Sequence, residues 1–398
     1  MANTYYLHLN RKEYIERWND VKDYLVDYEG EPYQQKMREA LKATLEGAIH
    51  AELVGYLRAK PHERTEGRFD YRNGTYRRGL VTSYGYLGML EVPRCRKKGF
   101  KTKVFRCYQR RWKEVDEYIQ GIFIAGVSTR ETGLVLKKLM DYKPSASTVS
   151  AVIKLLDPAV KQFHRQPLTD SYRYLFLDGV WVKVSGYKVV KKVLLIAYGV
   201  KHDGTREIID YRLALSESER EWGGFLSDLY RRGLTGDTLK LLIIDGGKGL
   251  RAAVDMVYPH IGIQRCWVHK LRNVSLRLRA RYREACLAQA KKIYAAKCHR
   301  EALARLRSWV RRWQIDAPEA VVCLKKDIEE LLTFFGENQK LWIKLRTTNA
   351  IERTIRELRK RIRPMCSFAN NPSCDRIVYA VVKKHNISME GRLLWKPE

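Results

Sequence analysis

The sequence predicts an α/β core on a mixed five-stranded sheet, with elements in the order β-β-β-α-β-α-β-α, carrying an all-α insertion and preceded by a helical, β-hairpin and helix-turn-helix-like region. Three observations predict it. Beyond Tyr172, short apolar runs alternate with helix-patterned stretches. One of those runs, LKLLIID (239–245), is continuously apolar, as a buried central strand is. From about Lys270 to Lys344 the pattern is helical throughout, which leaves room for an insert before the last core helix.

The elements follow in order. Residues 1–60 read as a helical region, with Leu41, Leu45, Ile49, Leu53 and Leu57 on one stripe and Pro61 as its stop. Residues 61–115 turn to strands, where YRNGTYRRG carries a hairpin signal at Asn73–Gly74. Residues 116–168 are helical again. Ser128 and Glu131 have capping-box spacing, and Ser145 or Ser147 opens a second helix, so the pair suits a helix-turn-helix or an ordinary helical hairpin. The core's first part, 169–269, starts with YRYLFLD (172–178), which WVKVSG continues as strand or turn. KKVLLIAYGVK and TREIIDYRLA flank the turn His202-Asp203-Gly204. A helix capped by Ser216 or Ser218 leads to LKLLIID, then KGLRAAVDMVY is a helix stopped by Pro259, and IGIQRC is a last strand. The insert spans 270–345, with Trp309, Trp313 and Trp342 as packing anchors. In 346–398 a final helix, 349–363, has Ile351, Ile355, Leu358 and Ile362 as its stripe.

Composition narrows the partners. With 398 residues, 45% of them hydrophobic, the chain can bury the cores of two or three domains. Its formal net charge of +31 calls for a polyanion, because each Lys or Arg set on a phosphate releases condensed counterions. Residues 94–113 hold ten Lys or Arg and no acid. Arg94, Arg96, Lys97, Lys98, Lys101 and Lys103 there, with Arg72, Arg77 and Arg78 upstream, are candidate phosphate contacts, and Phe100, Phe105, Tyr108 and Trp112 could stack on bases. A solvated charged face is the alternative. No run of about 18 apolar residues exists, and the N-terminal stretch MANTYYLHLNRKEY lacks a signal-peptide core, so an internal, reducing compartment is expected. The eight cysteines form no CxxC and are expected to be reduced.

The β-β-β-α-β-α-β order with a later helix matches a ribonuclease-H-like layout, in which the first and fourth strands are parallel neighbours. Asp178 and Asp245 end those two strands, each followed by glycine, which lets backbone approach a metal or phosphate closely. Two acids side by side repel and are costly to desolvate unless cations sit between them; Mg²⁺ suits them. Glu352, in the first turn of the final helix, is the candidate third acid. Asn349-x-x-Glu352 also has capping-box spacing, so a reach back to its own cap is the rival reading. Glu329 and Glu330, within the insert, lack a strand-proximal context.

The strings YLFLDGVWVKV, LIIDGGKGL, QRCWVHKLRN and TTNAIERTIRELRKRIRP together resemble the Mutator-like transposases of prokaryotic insertion sequences. The likeness spans roughly 60–385 and includes the upstream IAGVSTRETG. It implies a DDE triad of Asp178, Asp245 and Glu352 on a ribonuclease-H-like core, interrupted by an all-helical insertion. It further implies Mg²⁺-dependent cleavage and joining of DNA through two ions, for which Mn²⁺ can substitute. The partners implied are terminal inverted repeats and target DNA, with a homodimer or larger assembly to pair two ends in the cytoplasm, on the nucleoid. Arg353, Arg356, Lys360 and Arg363 on the last helix could clamp phosphates or form its solvated face. A nuclease of the same fold and a transposase-derived DNA-binding regulator are the competing readings.

Cys266 and His269 admit three roles. Zinc needs a second ligand pair that the neighbourhood lacks. Thiol catalysis needs a substrate that the charge does not suggest. In the family, a Cys-x-x-His after the second Asp is a hallmark, implying that His269 contacts the scissile phosphate or orients the DNA while Cys266 packs the turn. A satisfied core pair remains the alternative.

Overall fold

The computed structural model describes residues 33–97, 99–185, 188–362 and 367–395, the side chains of Ala350 and Arg353 excepted. Residues 1–32, Lys98, Arg363 and the Arg353 side chain therefore lie outside the described residues. The chain divides into two compact units, 1–154 and 155–398.

In the first unit the predicted helical stripe forms Tyr33–Leu57 (α1), which buries Ile49, Leu53 and Leu57. Ile49 packs with Leu80, Leu90 and Val92 of a two-stranded hairpin, Arg72–Thr82 (β1) and Gly85–Cys95 (β2). The Asn73–Gly74 pair does not make that hairpin's turn. It lies inside β1, where the register slips between Arg72 and Thr75 and Gly74 takes φ +68°. Such a glycine serves a bulge as readily as a turn. The chain reverses at Thr82–Gly85 instead, where the Thr82 hydroxyl donates to the Gly85 carbonyl (3.0 Å) and accepts from the Tyr84 N–H (3.2 Å). Three helices follow: Lys113–Ala125 (α2), Thr129–Met140 (α3) and Ala146–Lys154 (α4). The capping box of Ser128 and Glu131 is complete, and Ser145 Oγ accepts from the Thr148 N–H at 3.1 Å.

The second unit opens with Asp157–Phe163 (α5). Strands Tyr172–Val184 (β3), Val190–Lys201 (β4) and Arg206–Ala214 (β5) precede Glu219–Arg231 (α6), Leu241–Ile244 (β6), Lys248–Val257 (α7) and Gly262–Arg265 (β7). The sheet order is β5-β4-β3-β6-β7, antiparallel across β3–β4 and β4–β5 and parallel across β3–β6 and β6–β7. It is the mixed five-stranded sheet predicted. WVKV (181–184) extends β3, so Asp178 does not end its strand. What ends there is the parallel ladder, because β6 has only four residues and its pairing stops at Leu177 with Ile244.

The insert comprises Trp267–Ser275 (α8), Ala280–Tyr294 (α9), His299–Trp313 (α10), Pro318–Lys326 (α11), Ile328–Leu332 (α12), two 3₁₀ turns at 333–336 and 339–341, and Trp342–Leu345 (α13). Trp309 and Trp313 are buried anchors whose indole N–H groups donate to the Cys286 carbonyl (3.0 Å) and Gln289 Oε1 (2.8 Å). Asn349–Ile362 (α14) follows, but it is not the final helix. Asn371–Met389 (α15) comes after it, capped by Asn370, which accepts from the Ser373 N–H, with a proline in its first turn.

Side-chain alternation along β3 sorts the two faces. Leu175 and Leu177 face α6 and α7 through Trp222, Phe225, Leu226 and Val254. The even residues face the other way, where Phe176 meets Tyr198 (6.1 Å between rings) and Tyr198 meets His385 of α15 (6.3 Å). α14 packs on β3. Asp178, an even residue, is therefore on the α14 side.

A charge cluster braces β5. His164 Nδ1 lies 2.7 Å from Asp210 Oδ1, its Nε2 lies 3.2 Å from Asp375 Oδ1, and Arg232 pairs with Asp210 Oδ2. Burial alone would lower the imidazole pKa, but the two aspartates outweigh it and raise it from 6.5 to about 9. A raised folded-state value contributes stability in full below pH 6.5, and that contribution disappears as pH rises to about 9. The melting temperature is expected to fall across that window by the equivalent of about 2–3 kcal/mol. His164→Gln should flatten the slope; calorimetry on both sides of the window checks this.

Among the described residues no helix is long and apolar enough to cross a membrane.

Candidate active site

Leu177 and Ile244 are the last paired residues of the parallel ladder, so Asp178 and Asp245 follow side by side on adjacent strands. Asp178 Oδ1 accepts from the Gly179 N–H (2.7 Å) and Asp245 Oδ1 from the Gly247 N–H (2.9 Å). Burial first, then repulsion by Asp245, pushes the Asp178 carboxyl well above the usual carboxylate range. His269 pulls it back, and the charge of Glu352 adds to the push. The four groups chosen from sequence therefore share one electrostatic neighbourhood.

The two glycines make room for protein groups. A Cβ at Gly179 would sit 2.6 Å from Glu217 Oε1, and Gly246 holds φ +90° against the Arg265 guanidinium. Glu217 is the acid that sequence reading missed. Burial, then Asp245, raises its carboxyl pKa, and the Trp181 side chain hydrogen-bonds it. The only local signal was its place just before the Ser218 cap of α6.

Glu352 sits in the first turn of α14. Asn349 is the first residue of that helix, and Glu352 Oε1 instead lies 3.2 Å from Thr348 Oγ1. Glu330 does have a strand-proximal place, contrary to the sequence reading: it pairs with Arg265 at the end of β7 and with Arg251 Nε (2.7 Å). Two guanidiniums neutralise it, so it has no charge left for a cation. Asp327 is similarly held by Lys270 and by Arg265 Nη1 (3.1 Å).

Cys266 is 0% exposed, which removes it from direct contact with any substrate. Its Sγ lies 3.3 Å from both Thr348 N and Thr348 Oγ1. Burial works against a thiolate, yet hydrogen bonds from His269 and Thr348 hold the thiol below its ordinary pKa. The Cys266 bond raises the His269 pKa in turn, and Asp178 and Asp245 add to that. His269 Nδ1 is buried without a hydrogen-bond partner.

Among the described residues no three His, Cys, Asp or Glu side chains are grouped so as to hold a metal ion as they stand. The aspartate pair nonetheless suits a hard divalent cation by its donor chemistry. It offers oxygen ligands alone, and the Asp178 anion is disfavoured by burial and by Asp245 until a cation neutralises the pair.

The candidate phosphate contacts divide by what they already hold. Arg72 donates to the carbonyls of Ala59 (3.2 Å) and Lys60 (3.3 Å), and Arg78 bonds the Gln109 carbonyl while lying over Phe105. Arg77 pairs with Glu91 (3.1 Å). Arg94, Arg96, Lys97, Lys101 and Lys103 are exposed, with Arg94 lying over Tyr76, Arg96 over Tyr71 and Lys97 over Phe69. On α14, Arg356 and Lys360 are exposed, and Lys360 pairs with Glu357 (2.8 Å). Of the four interleaved aromatics, Phe105 is buried and Phe100 and Trp112 pack against the same cluster, so only Tyr108, 92% exposed, is open to a base.

The family profile described as "Transposase, Mutator family" matches residues 19–390. The transposase for insertion sequence element ISRM5 of Rhizobium meliloti (strain 1021) is 35% identical over 357 residues, covering 89% of each chain. That for IS256 in transposon Tn4001 of Staphylococcus aureus is 33% identical over 335 residues, covering 82% of this chain and 84% of the relative. A Drosophila P element transposase strand transfer complex aligns with 73% of this chain and 81% of its own at 11% identity and a TM-score of 0.31, too slight a likeness to build on. With the profile spanning nearly the whole sequence and relatives above 30% identity over more than four fifths of it, the chain belongs to the Mutator family of transposases.

Proposed function

We propose that this transposase binds the terminal inverted repeats of its insertion sequence, then cuts and joins DNA strands at the edge formed by Asp178, Asp245 and Glu352. The observation that carries the reading is the placing of the two aspartates side by side just past the end of the parallel ladder, with Asp178 destabilised as an anion by burial and then by its neighbour. The sheet order fits a ribonuclease-H-like core.

Asp178 and Asp245 would hold Mg²⁺, and Glu352 would complete the set through the carboxylate oxygen not engaged by Thr348. When bound, the metal supplies charge neutralisation at the phosphate and makes an attacking water or 3′-hydroxyl more acidic. His269, half-buried and driven toward its cationic form, donates to a phosphate oxygen of the scissile group. Cys266 positions; it does not react. In the first unit, Lys101, Lys103 and the Arg94–Lys97 run track phosphates, Tyr108 stacks on a base, and α3 with α4 reads the repeat as a helix-turn-helix. Pairing two ends calls for at least two copies of the chain.

Incubating the protein with Mg²⁺ and duplex DNA carrying the flanking repeats tests this. Nicking at the repeat boundary followed by joined product is expected. Unselective cutting points to a nuclease, and binding without cutting to a regulator.

A further inference from the structure

The turn between β7 and α8 meets the turn that opens α14, although 82 residues separate Cys266 from Thr348. Both residues are 0% exposed. The Thr348 N–H donates to Cys266 Sγ at 3.3 Å, while Thr348 Oγ1 lies 3.3 Å from that sulfur and 3.2 Å from Glu352 Oε1. The Thr348 carbonyl accepts from the Glu352 N–H (2.9 Å), and one residue after Cys266 the Trp267 N–H donates to the Arg346 carbonyl (3.0 Å). Thr348 is therefore fixed through its backbone on both sides, and its hydroxyl is aimed by a β-branched side chain with little χ1 freedom.

We propose that Thr348 is the positioning residue for Glu352, with Cys266 as its anchor. The Cys-x-x-His segment thereby latches the third acid to the sheet edge across the insert. This rests on the proposed metal-holding role of Glu352. The Thr348 hydroxyl carries one hydrogen and two possible acceptors. The carboxylate is the stronger one, and the sulfur keeps the backbone N–H. One Glu352 oxygen is thus occupied and the other left free. A glutamate side chain otherwise loses up to about 2 kcal/mol of rotamer entropy when a ligand fixes it, so a carboxylate held in advance binds a cation more tightly. Partners of this kind behind a metal ligand typically account for about 10–100-fold in metal affinity or activity.

The test uses the full chain and Mg²⁺ alone or with repeat DNA. Two quantities are read: the Mg²⁺ concentration that half-saturates cleavage, and the Mg²⁺-induced rise in melting temperature without DNA. Thr348→Val, which keeps the shape and removes the hydroxyl, is expected to raise the half-saturating Mg²⁺ about 10–100-fold and to shrink the thermal shift, while Thr348→Ser recovers to within about threefold. Cys266→Ala should move both readouts the same way by less. A Thr348→Val protein with the parental Mg²⁺ titration overturns the proposal, as does a serine variant no better than valine. A purely capping role predicts that first result, with a lower melting temperature and nothing else. Glu352→Gln is the reference. If it leaves both readouts at parental values, the assignment of Glu352 itself has failed; if it moves them and Thr348→Val does not, only the positioning role has failed.

Discussion

Asp178→Asn is expected to lower cleavage at the repeat boundary by at least about a thousandfold, on the order of 4 kcal/mol of lost transition-state stabilisation, while raising the melting temperature of the metal-free protein. The two effects have one cause. The carboxylate is half-buried beside Asp245, and its charge is disfavoured until a cation arrives. An amide of the same shape keeps the acceptor for the Gly179 N–H (2.7 Å) but removes both the repulsion and the hold on the metal. Relief of about 1–2 kcal/mol corresponds to a few degrees in a unit of this size. Repeat binding, assigned to the first unit, should be unchanged in a gel-shift assay. A variant that cuts at the parental rate sinks the assignment, and one that melts lower shows that the aspartates do not strain the fold.

Asp210→Ala is expected to have the largest effect on stability, about 3–5 kcal/mol. Asp210 is 2% exposed and accepts from His164 (2.7 Å) and from Arg232, whose side chain is itself 10% exposed. Removing the carboxylate leaves the largely buried Arg232 guanidinium with only the longer contact to Asp228 (3.4 Å) and His164 with only Asp375 (3.2 Å). Denaturant unfolding measures the loss, and adding Arg232→Met should return part of it. A loss below about 1 kcal/mol would place the cluster with ordinary surface ion pairs.

The core was legible because its signals are local. LKLLIID reads as a buried central strand, the turn at His202-Asp203-Gly204 joins two strands, and, in the first unit, the capping spacing at Ser128 marks a helix start. The strands and helices of the core gave the element order, and its match to a ribonuclease-H-like layout put Asp178 beside Asp245. What stayed hidden was long-range or ambiguous. The Asn73–Gly74 bulge carries the same dipeptide as a hairpin turn. Phe100, Phe105 and Trp112 sit among lysines and arginines in sequence, yet pack inward on α1 and the hairpin. Glu330 reads as an insert residue until its pairing with Arg251 and Arg265 is known. Glu217 and Thr348 gained their places from contacts that no spacing encodes, because their partners lie on other elements.

The meeting of Cys266 with Thr348 and of Trp267 with Arg346 means that the insert departs from the core and rejoins it at one seam. A detour whose two ends already touch can grow or shrink at a cost that rises only with the logarithm of its length. Only α9 and α10 hang from the core in this way, because α12 is tied to it by Glu330 with Arg251 and Arg265 and by the Leu331 carbonyl, which accepts from Gln264. Trimming or exchanging α9 and α10 can proceed while the stitching at that seam stays the same.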